Sequence, residues 1–476
     1  MNAVLENMWR SVPRPNRANA AMWAIGAGHG MTHAYSAAFY VLLPFLAKDL
    51  GLTYSQVGVI ISLRQLMSAV VNLPAGAVVD TLGRRSLFMS LALAWAALPY
   101  LLIGVTSSYT VILLSMGVVG IGSFLWHPAA ITALSELYPT RRGYGLALHE
   151  LGANLGDTVT PLAAGFLLVA LNWRQVLLII VAAGLLLTLV VIRMMAHAHR
   201  QRSAAPSRTL ATKDYVQGLR LLLRNGPLLI LAMVSGVRAM TQLGLSTFLP
   251  LYLLNELHLP AALMGLYLAV VQGSGMIATP IAGVLSDRLG PKRIATAGML
   301  TTSLVILGFA ALNLGAAFVG ALALLGFFVY SMRPAIFRWA IGIVPREYEG
   351  TTVGILFTTQ ALLPTAMPIV GGYLGDRYGL LSIFDVIAGT VLVANLALLF
   401  VPDVRRAAAP EWSEIPGAST SSRAAAAPEY CCCPVIRCPS RTACGLKRPL
   451  TMKLVLGIFF ASSSIRNGWI RLPTYS

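Results

Sequence analysis

Long apolar segments separated by short polar connectors follow one another along most of the chain. Each approaches or exceeds the ~20 apolar residues that a helix needs to cross a bilayer. They lack the strict alternation of apolar and polar residues that is typical of strands in a membrane β-barrel. The pattern therefore predicts an all-α membrane protein with twelve transmembrane helices, at 20–46, 55–79, 86–105, 109–136, 143–171, 174–196, 227–254, 261–285, 294–314, 317–344, 349–374 and 381–402.

Only 11% of the 476 residues are charged, but basic residues outnumber acidic ones and give a net charge of +18. A soluble protein with this balance would suggest nucleic-acid binding, whereas the basic residues of a membrane protein collect in cytoplasmic connectors. With the N-terminus inside, seventeen Lys and Arg residues lie in inner connectors and three in outer ones, before the tail is counted. We therefore predict no nucleic-acid partner, two cytoplasmic termini and a location in the bacterial inner membrane.

A polar segment at 197–226 separates six apolar segments from six others. Several residues recur at a constant spacing of 207 positions, among them Asp80 with Asp287 and Pro161 with Pro368. Two parallel six-helix repeats around a central site are a transporter architecture. We predict two pseudo-symmetric bundles at 20–196 and 227–402, an N-terminal cytoplasmic segment at 1–19, a cytoplasmic linker at 197–226 and a disordered cytoplasmic tail at 403–476.

All five cysteines lie in the tail, at 431, 432, 433, 438 and 444, and their spacing fits no common zinc pattern. The predicted helices contain no cysteine, so they can use neither disulfides nor thiol chemistry. The chain also has no Walker A motif. The sequence therefore predicts neither an enzyme nor a self-contained ATP-driven pump, and it predicts no cofactor and no metal.

Two related stretches lie between the second and third apolar segments of each half. The first, at 76–85, reads Gly-Ala-Val-Val-Asp-Thr-Leu-Gly-Arg-Arg, and the second, at 283–293, reads Gly-Val-Leu-Ser-Asp-Arg-Leu-Gly-Pro-Lys-Arg. Both resemble the signature loop of the major facilitator superfamily, although Thr81 replaces a usual basic residue and Pro291 interrupts the basic pair. The resemblance implies a conformational latch between the halves, formed by Gly76, Asp80, Gly83, Arg84, Arg85, Gly283, Asp287, Arg288 and Gly290. Arg84 and Arg85 can also be topology markers alone.

Shorter motifs resemble the fosmidomycin-resistance branch of the same superfamily. They include three histidines with their flanking residues, Arg238, and the Phe-Leu-Pro-Leu-Tyr run at 248–252. The glycines and the proline between 152 and 165 are similar to the fifth-helix motif of drug–proton antiporters, with Thr160 at a position where glycine is usual. This resemblance implies proton-driven efflux.

Two carboxylates lie within the fifth apolar segment, where a charge is costly and usually functional. Glu150, Asn154, Asp157 and Pro161 follow the i, i+4, i+7, i+11 spacing of one helical face. A carboxylate on a shielded face can bind and release a proton near neutral pH. We predict Asp157 as the proton-coupling residue, with Glu150 as the alternate. Glu150 can equally be a solvated residue near the cytoplasmic helix end.

Three arginines, Arg64, Arg238 and Arg333, also lie inside apolar segments. Arginine stays protonated and binds carboxylate or phosphonate groups in a fork geometry. Three arginines against two carboxylates favour an anionic or zwitterionic substrate bound by these arginines. Gln242, one turn beyond Arg238, can add a hydrogen bond to that substrate or can be a packing contact. The alternative for the arginines is that Arg–Asp pairs neutralise each other for structural reasons.

The histidines His29, His33 and His127 complete the predicted substrate site. His29 and His33 are four residues apart and share one helical face, and by resemblance their helix and that of His127 line the central cavity. Histidine titrates near neutral pH, which also suits proton coupling. The pair can bind a metal, but the sequence suggests no third ligand nearby. Each histidine can alternatively make a hydrogen bond between helices.

These features predict a secondary active transporter that works by alternating access and is driven by a proton gradient. Its expected action is the export of small anionic or amphipathic compounds, as in drug efflux. Uptake of an organic anion, such as a carboxylate or a sugar acid, by proton symport is the alternative. A membrane sensor that does not transport is a third interpretation, and the ionisable residues inside the helices argue against it. We expect a monomer whose partners are the bilayer, protons and a small-molecule substrate.

Overall fold

The structure, a computed structural model, describes residues 20–82, 85–123, 126–138, 142–199, 220–309, 315–345 and 348–403. Every long element in these ranges is a helix and none is a strand, so the all-α prediction is confirmed. The helices are α1 (Ala20–Asp49), α2 (Tyr54–Leu82), α3 (Arg85–Val105), α4 (Tyr109–Ser123), α5 (Trp126–Leu137), α6 (Arg142–Leu167), α7 (Trp173–His199), α8 (Gly226–Leu251, continued as a π turn Tyr252–Glu256), α9 (Ala261–Leu289), α10 (Pro291–Leu307), α11 (Ala316–Gly342), α12 (Glu349–Leu362, continued as a 3-10 turn Leu363–Thr365), α13 (Ala366–Tyr378) and α14 (Leu380–Ala397, continued as a 3-10 turn Leu398–Phe400).

All these helices belong to one compact unit, Met1–Pro410. Each predicted transmembrane segment corresponds either to one helix or to two helices that follow each other directly in the chain. Eight helices or helix runs among the described residues are long and apolar enough to cross a membrane. The other four predicted segments lie on α1, α2, α6 and α10, so the count of twelve and the two-bundle division remain predictions. The predicted tail beyond residue 403 lies outside the described residues.

Two helices of the C-terminal half (residues 220–403) end at a glycine with a positive φ angle. α9 ends before Gly290, whose φ is +94°, and α13 ends before Gly379, whose φ is +83°. Residues that carry a side chain rarely adopt such a positive φ angle, so glycine is favoured at both positions. Each glycine N–H donates to a carbonyl four residues earlier. Both glycines close the same pattern, Gly-x-x-x-Asp-Arg-x-Gly, at 283–290 and at 372–379.

Glycines bring α1 and α6 into close contact within the N-terminal half (residues 20–199). A Cβ atom placed on Gly152 would meet the backbone of Gly26, and one on Gly30 would lie 2.8 Å from the carbonyl oxygen of Gly152. Small residues are what permit backbones of membrane helices to approach so closely. The contact fixes the register in which His33 on α1 faces Asp157 on α6.

Replacing Gly152 by alanine should lower the thermal unfolding temperature of the purified protein. The added methyl group overpacks the contact between α1 and α6, and overpacking a tight interior costs about 1–3 kcal/mol. Gly143 lies on the same helix, and a Cβ atom there would meet nothing within 4 Å. Gly143→Ala is therefore the matched control and should leave the unfolding temperature unchanged or slightly raised. Equal unfolding temperatures for the two variants would contradict the proposed close packing.

The two halves contact each other through α2 with α13, through α6 with α9 and through α1 with α8. Gly58 on α2 packs against the backbone of Pro368, and Gly165 on α6 packs against that of Gly265. These residues lie within about three turns of helix ends that the distribution of basic residues predicts to be external. The space between the halves is therefore closed at its outer end in this structure.

Candidate functional site

A cavity of about 330 Å³ lies between the two halves near the middle of the helices. We call it the central cavity. Five residues that the sequence predicts as site residues line it, namely Arg64, His33, His127, Asp157 and Gln242. Further polar side chains in its wall are those of Thr32, Tyr35, Ser36, Tyr40, Gln65, Ser68, Tyr100, Ser246, Gln272 and Gln360. The central cavity thus combines a fixed cation, a carboxylate, two imidazoles and several uncharged hydrogen-bonding groups.

A hydrogen bond joins His33 and Asp157 across the contact between α1 and α6. The His33 Nδ1 atom lies 2.9 Å from Asp157 Oδ2, and 33% and 24% of the two side-chain surfaces remain exposed. An imidazole hydrogen-bonded to a carboxylate is a unit that can hold and release a proton at a defined place. The structure therefore joins the predicted proton-coupling residue to one of the predicted substrate-binding histidines.

A chain of histidines lies directly behind this pair. His29 is buried, and its Nδ1 atom lies 2.8 Å from the backbone carbonyl oxygen of His149. A carbonyl only accepts, so His29 Nδ1 carries the proton. Its Nε2 atom lies 3.2 Å from Nε2 of His127 and, when His29 is neutral, accepts a hydrogen from His127. The Trp126 indole donates to His149 Nε2 over 3.2 Å. These contacts connect the cavity wall with the interior of the N-terminal half.

The structure brings His127 next to His29 and His33, as a candidate third metal ligand that the sequence did not place nearby. One ligand atom from each of His29, His33 and His127 lies within 4.8 Å of the other two, a spacing at which three imidazoles could hold a metal ion. In this structure His29 and His127 are hydrogen-bonded to each other, and His33 is hydrogen-bonded to Asp157. His127 Nδ1 is buried without a hydrogen-bond partner, and the prediction of no metal remains a prediction.

Arg64 presents a positive charge that uncharged groups hold in place. Its Nη1 atom donates to the Tyr40 hydroxyl over 3.0 Å, and its Nη2 atom donates to the Ser36 hydroxyl over 2.8 Å. In the described part of the chain no carboxylate forms an ion pair with Arg64. The guanidinium is therefore oriented but not neutralised, as expected for a group that receives an anion.

Arg238 lies behind the cavity wall and is only 3% exposed. Its Nη1 atom donates to Gln242 Oε1 over 3.0 Å, and its Nη2 atom donates to Gln360 Oε1 over 3.3 Å. The Gln242 side chain in turn donates to the Tyr330 hydroxyl over 3.2 Å, and that hydroxyl donates to Gln272. Arg238 thus orients two cavity-lining amides. The sequence predicts Arg238 and Gln242 as site residues, whereas Gln272, Tyr330 and Gln360 are visible in it only as polar residues inside apolar segments.

Besides His29 and Arg238, two further predicted site residues lie outside the central cavity. The exposed Arg333 guanidinium lies 6.0 Å from the ring centre of Phe337 and 5.9 Å from that of Phe357, as in cation–π contacts. The Glu150 carboxylate is 61% exposed, and one of its oxygens lies 3.7 Å from His149 Nδ1. This placement of Glu150 agrees with a solvated carboxylate, and Asp157 is the carboxylate that reaches the central cavity.

The predicted latch is described only in part. Gly76, Asp80 and Arg85 lie on α2 and α3, but their side chains, like Gly83 and Arg84 as a whole, lie outside the described residues. In the second copy, Asp287 at the end of α9 forms an ion pair with Arg338 of α11. Arg288 is exposed, and Gly290 ends the helix.

A third copy of the latch pattern, at 372–379, was missed in the sequence. Its Asp376 carboxylate accepts hydrogens from the backbone N–H groups of Tyr54 (2.8 Å) and Ser55 (2.9 Å), at the N-terminus of α2. Gly372 packs against the backbone of Tyr54 and Ser55. Asn255 adds a hydrogen bond of 3.2 Å to the Tyr54 hydroxyl. We call these contacts the outer clamp, because they join the two halves at the end predicted to be external.

Comparisons with known proteins agree with this architecture. Residues 25–362 and, in a second match, 239–469 fit the sequence profile described as Major Facilitator Superfamily. The chain is 26% identical over 384 residues to a probable sulfoacetate transporter of Cupriavidus necator. The alignment covers 76% of this chain and 88% of that protein. The chain is also 24% identical to the fosmidomycin resistance protein of Escherichia coli strain K12, over 80% of this chain and 92% of that protein.

A solved structure shows the same fold. It is that of a bacterial homologue of the human lysosomal transporter Spinster, in an inward-facing and occupied conformation. The TM-score is 0.70 at 15% sequence identity, and the match covers 82% of this chain and 97% of the other. The helix arrangement is thus shared with a protein of very different sequence.

Proposed function

The chain belongs to the major facilitator superfamily, and we propose that it moves small organic anions by alternating access, either in exchange for protons or together with them. As a member of this superfamily it is a multi-pass membrane transporter and not an enzyme. The observation that carries this proposal is the combination of Arg64 and the His33–Asp157 pair in one cavity. Arg64 offers an anion a positive charge that forms no direct ion pair with a described carboxylate. The hydrogen-bonded His33–Asp157 pair offers a proton a binding place in the same wall.

The similar proteins support an anionic substrate. One is named for sulfoacetate, which carries a sulfonate and a carboxylate, and another for resistance to fosmidomycin, a phosphonate. Arginine binds all three acid groups through two parallel hydrogen bonds. The apolar parts of the cavity wall also admit an amphipathic anion. The predicted substrate role of His127 and Gln242 fits this proposal because both line the same cavity.

The charge of the cavity wall favours binding of the proton and the anion together. Without an added proton, a neutral His33 beside an ionised Asp157 carries one negative charge, which repels an anion near Arg64. One added proton makes the pair neutral and leaves the charge of Arg64 available. Cooperative binding of the proton and the anion favours symport, which drives uptake under an inward proton gradient.

Export by antiport, the direction expected from the sequence, is the second candidate, and the likeness to the fosmidomycin resistance protein favours it.

We also propose the setting in which this transport takes place. The excess of basic residues in the inner connectors supports cytoplasmic termini. The bacterial origin of the similar sulfoacetate and fosmidomycin proteins supports a bacterial inner membrane. A monomer suffices, because the central cavity is built from the two halves of one chain.

A vesicle assay with an internal pH dye tests both substrate class and coupling. Sulfoacetate added outside proteoliposomes should enter and change the internal pH, with acidification for symport and alkalinisation for antiport. Asp157→Asn should reduce the pH change at least tenfold, because the amide cannot take up the proton. Glu150→Gln tests the alternate carboxylate, and Asp385→Asn, an exposed residue on α14, is the matched control. Full proton movement in Asp157→Asn would exclude Asp157 as the coupling residue, and the absence of any response to several organic anions would contradict the proposed function.

A further inference from the structure

A second, mostly apolar pocket adjoins the central cavity. Its walls include Val41, Leu245, Leu249, Leu268, Val271 and Val329, from helices of both halves. Tyr40, Gln242, Ser246 and Gln272 line both spaces and form the rim between them. We call this space the outer pocket. Since the two spaces share a rim, one molecule can occupy both.

The outer pocket lies on the closed side of the central cavity. Val41 and Leu268 are eight and seven residues from the external ends of α1 and α9, whereas Arg64 and Asp157 are each ten residues from the external ends of α2 and α6. At 1.5 Å per helical residue, the apolar walls begin about 4 Å nearer to the outer clamp than the charged groups. A bound molecule would therefore extend from Arg64 towards the external end.

The polar groups at the rim are fixed rather than free. Tyr330 bonds to both Gln242 and Gln272, and Gln242 also accepts from Arg238. Such oriented amides favour a substrate that carries a hydrogen-bonding group between its acid group and its apolar part. A purely polar dianion would leave the apolar walls of the outer pocket unoccupied.

From this arrangement we infer that the substrate is an amphipathic organic anion, with its acid group at Arg64 and a short apolar chain in the outer pocket. The inference rests on the proposed transport of anions and adds the substrate class. Burying one methylene group from water is worth roughly a fourfold gain in affinity. Affinity should therefore rise by about that factor with each carbon that the outer pocket still accommodates, and then stop rising.

The n-alkanesulfonates from methanesulfonate to hexanesulfonate are suitable probes, because the acid group stays constant while the chain grows. Their dissociation constants are measured by titration calorimetry on the purified full-length protein in detergent, with empty micelles as the blank. Val271→Phe fills the outer pocket and should weaken the long sulfonates at least tenfold more than the short ones. Leu245→Ala enlarges it and should move the end of the rise to a longer chain. Val284→Phe is the matched control, since Val284 lies on the same helix α9 with 53% of its surface exposed.

The outcomes separate this inference from the proposed function. If no sulfonate and no carboxylate binds, the anion transport itself is wrong. If methanesulfonate binds but the affinity of the sulfonates does not depend on chain length, anion binding at Arg64 is retained and the proposed role of the outer pocket is wrong. An equal loss for long and short sulfonates in Val271→Phe, or the same long-chain loss in Val284→Phe, would also overturn it. A thermal unfolding scan of each variant shows whether the protein is folded when it is titrated.

Discussion

Replacing Arg64 by glutamine should remove most of the affinity for small organic anions. The guanidinium lies in the wall of the central cavity, and only the uncharged Tyr40 and Ser36 hold it. Hydrogen bonds to a charged group contribute about 1.5–3 kcal/mol each. Loss of one such bond predicts a dissociation constant that is roughly ten to a hundred times higher. Titration of the purified protein with sulfoacetate measures this change.

Two further substitutions decide which property of Arg64 matters. Arg64→Lys keeps the charge but not the fork of two parallel donors, so an intermediate affinity is expected. Tyr40→Phe removes one hydroxyl that orients the guanidinium and should cost less than the loss of the charge. Arg220→Gln, at an exposed position in the inner connector, controls for the net charge of the protein. An affinity in Arg64→Gln equal to that of Arg220→Gln would show that the anion does not bind at Arg64.

The sequence predicts the residues that are unusual for a membrane helix. Arg64 and Asp157 are conspicuous because a charge inside an apolar segment is costly, and both line the central cavity in the structure. Gln272 and Gln360 line the same cavity, but an uncharged amide within an apolar segment is less exceptional, so the pattern did not single them out. Arg333 fits the rule as well as Arg64 does, yet it lies against two phenylalanines outside the cavity. Periodicity gives the helix, whereas the rotation of that helix within the bundle depends on packing.

The pairing of His33 with Asp157 depends on tertiary packing. The two residues are 124 positions apart, and their contact depends on glycines that allow α1 and α6 to approach closely. Neither the charge nor the spacing of the residues indicates this approach. Asp376 escapes prediction for a different reason: the spacing of 207 residues relates Asp80 to Asp287, and the third copy of the pattern at 372–379 does not follow that spacing.

Replacing Asp376 by asparagine should open the outer end of the cavity more often. The Asp376 carboxylate accepts two backbone N–H groups at the N-terminus of α2, where a helix favours negative charge. Asparagine removes the charge and leaves one acceptor. Because the carboxylate is partly exposed, water screens part of this interaction, and a loss of about 1 kcal/mol is expected. That corresponds to roughly a fivefold shift of the population away from the outside-closed state.

A reporter cysteine in the cavity measures this shift. Ser246→Cys places a thiol at the rim between the central cavity and the outer pocket, and serine at the five tail cysteines makes it the sole thiol. A membrane-impermeant thiol reagent should label this cysteine in intact cells about five times faster in Asp376→Asn. In inverted vesicles, where the reagent reaches the other side, the same substitution should slow the labelling.

Asp49→Asn is the control that separates the clamp from a general effect at the external surface. Asp49 also lies at an external helix end, but it bonds to Trp173 (3.2 Å) and Arg174 (3.1 Å), within the N-terminal half. Its replacement does not touch a contact between the halves, so the labelling rate should stay unchanged. Equal labelling rates in Asp376→Asn and in the unsubstituted protein would mean that the outer end stays closed without the outer clamp. The glycine contacts between the halves, Gly58 with Pro368 and Gly165 with Gly265, would then be sufficient. Faster labelling from both sides would indicate a loosened bundle, because a shift between two alternating states must raise access on one side and lower it on the other.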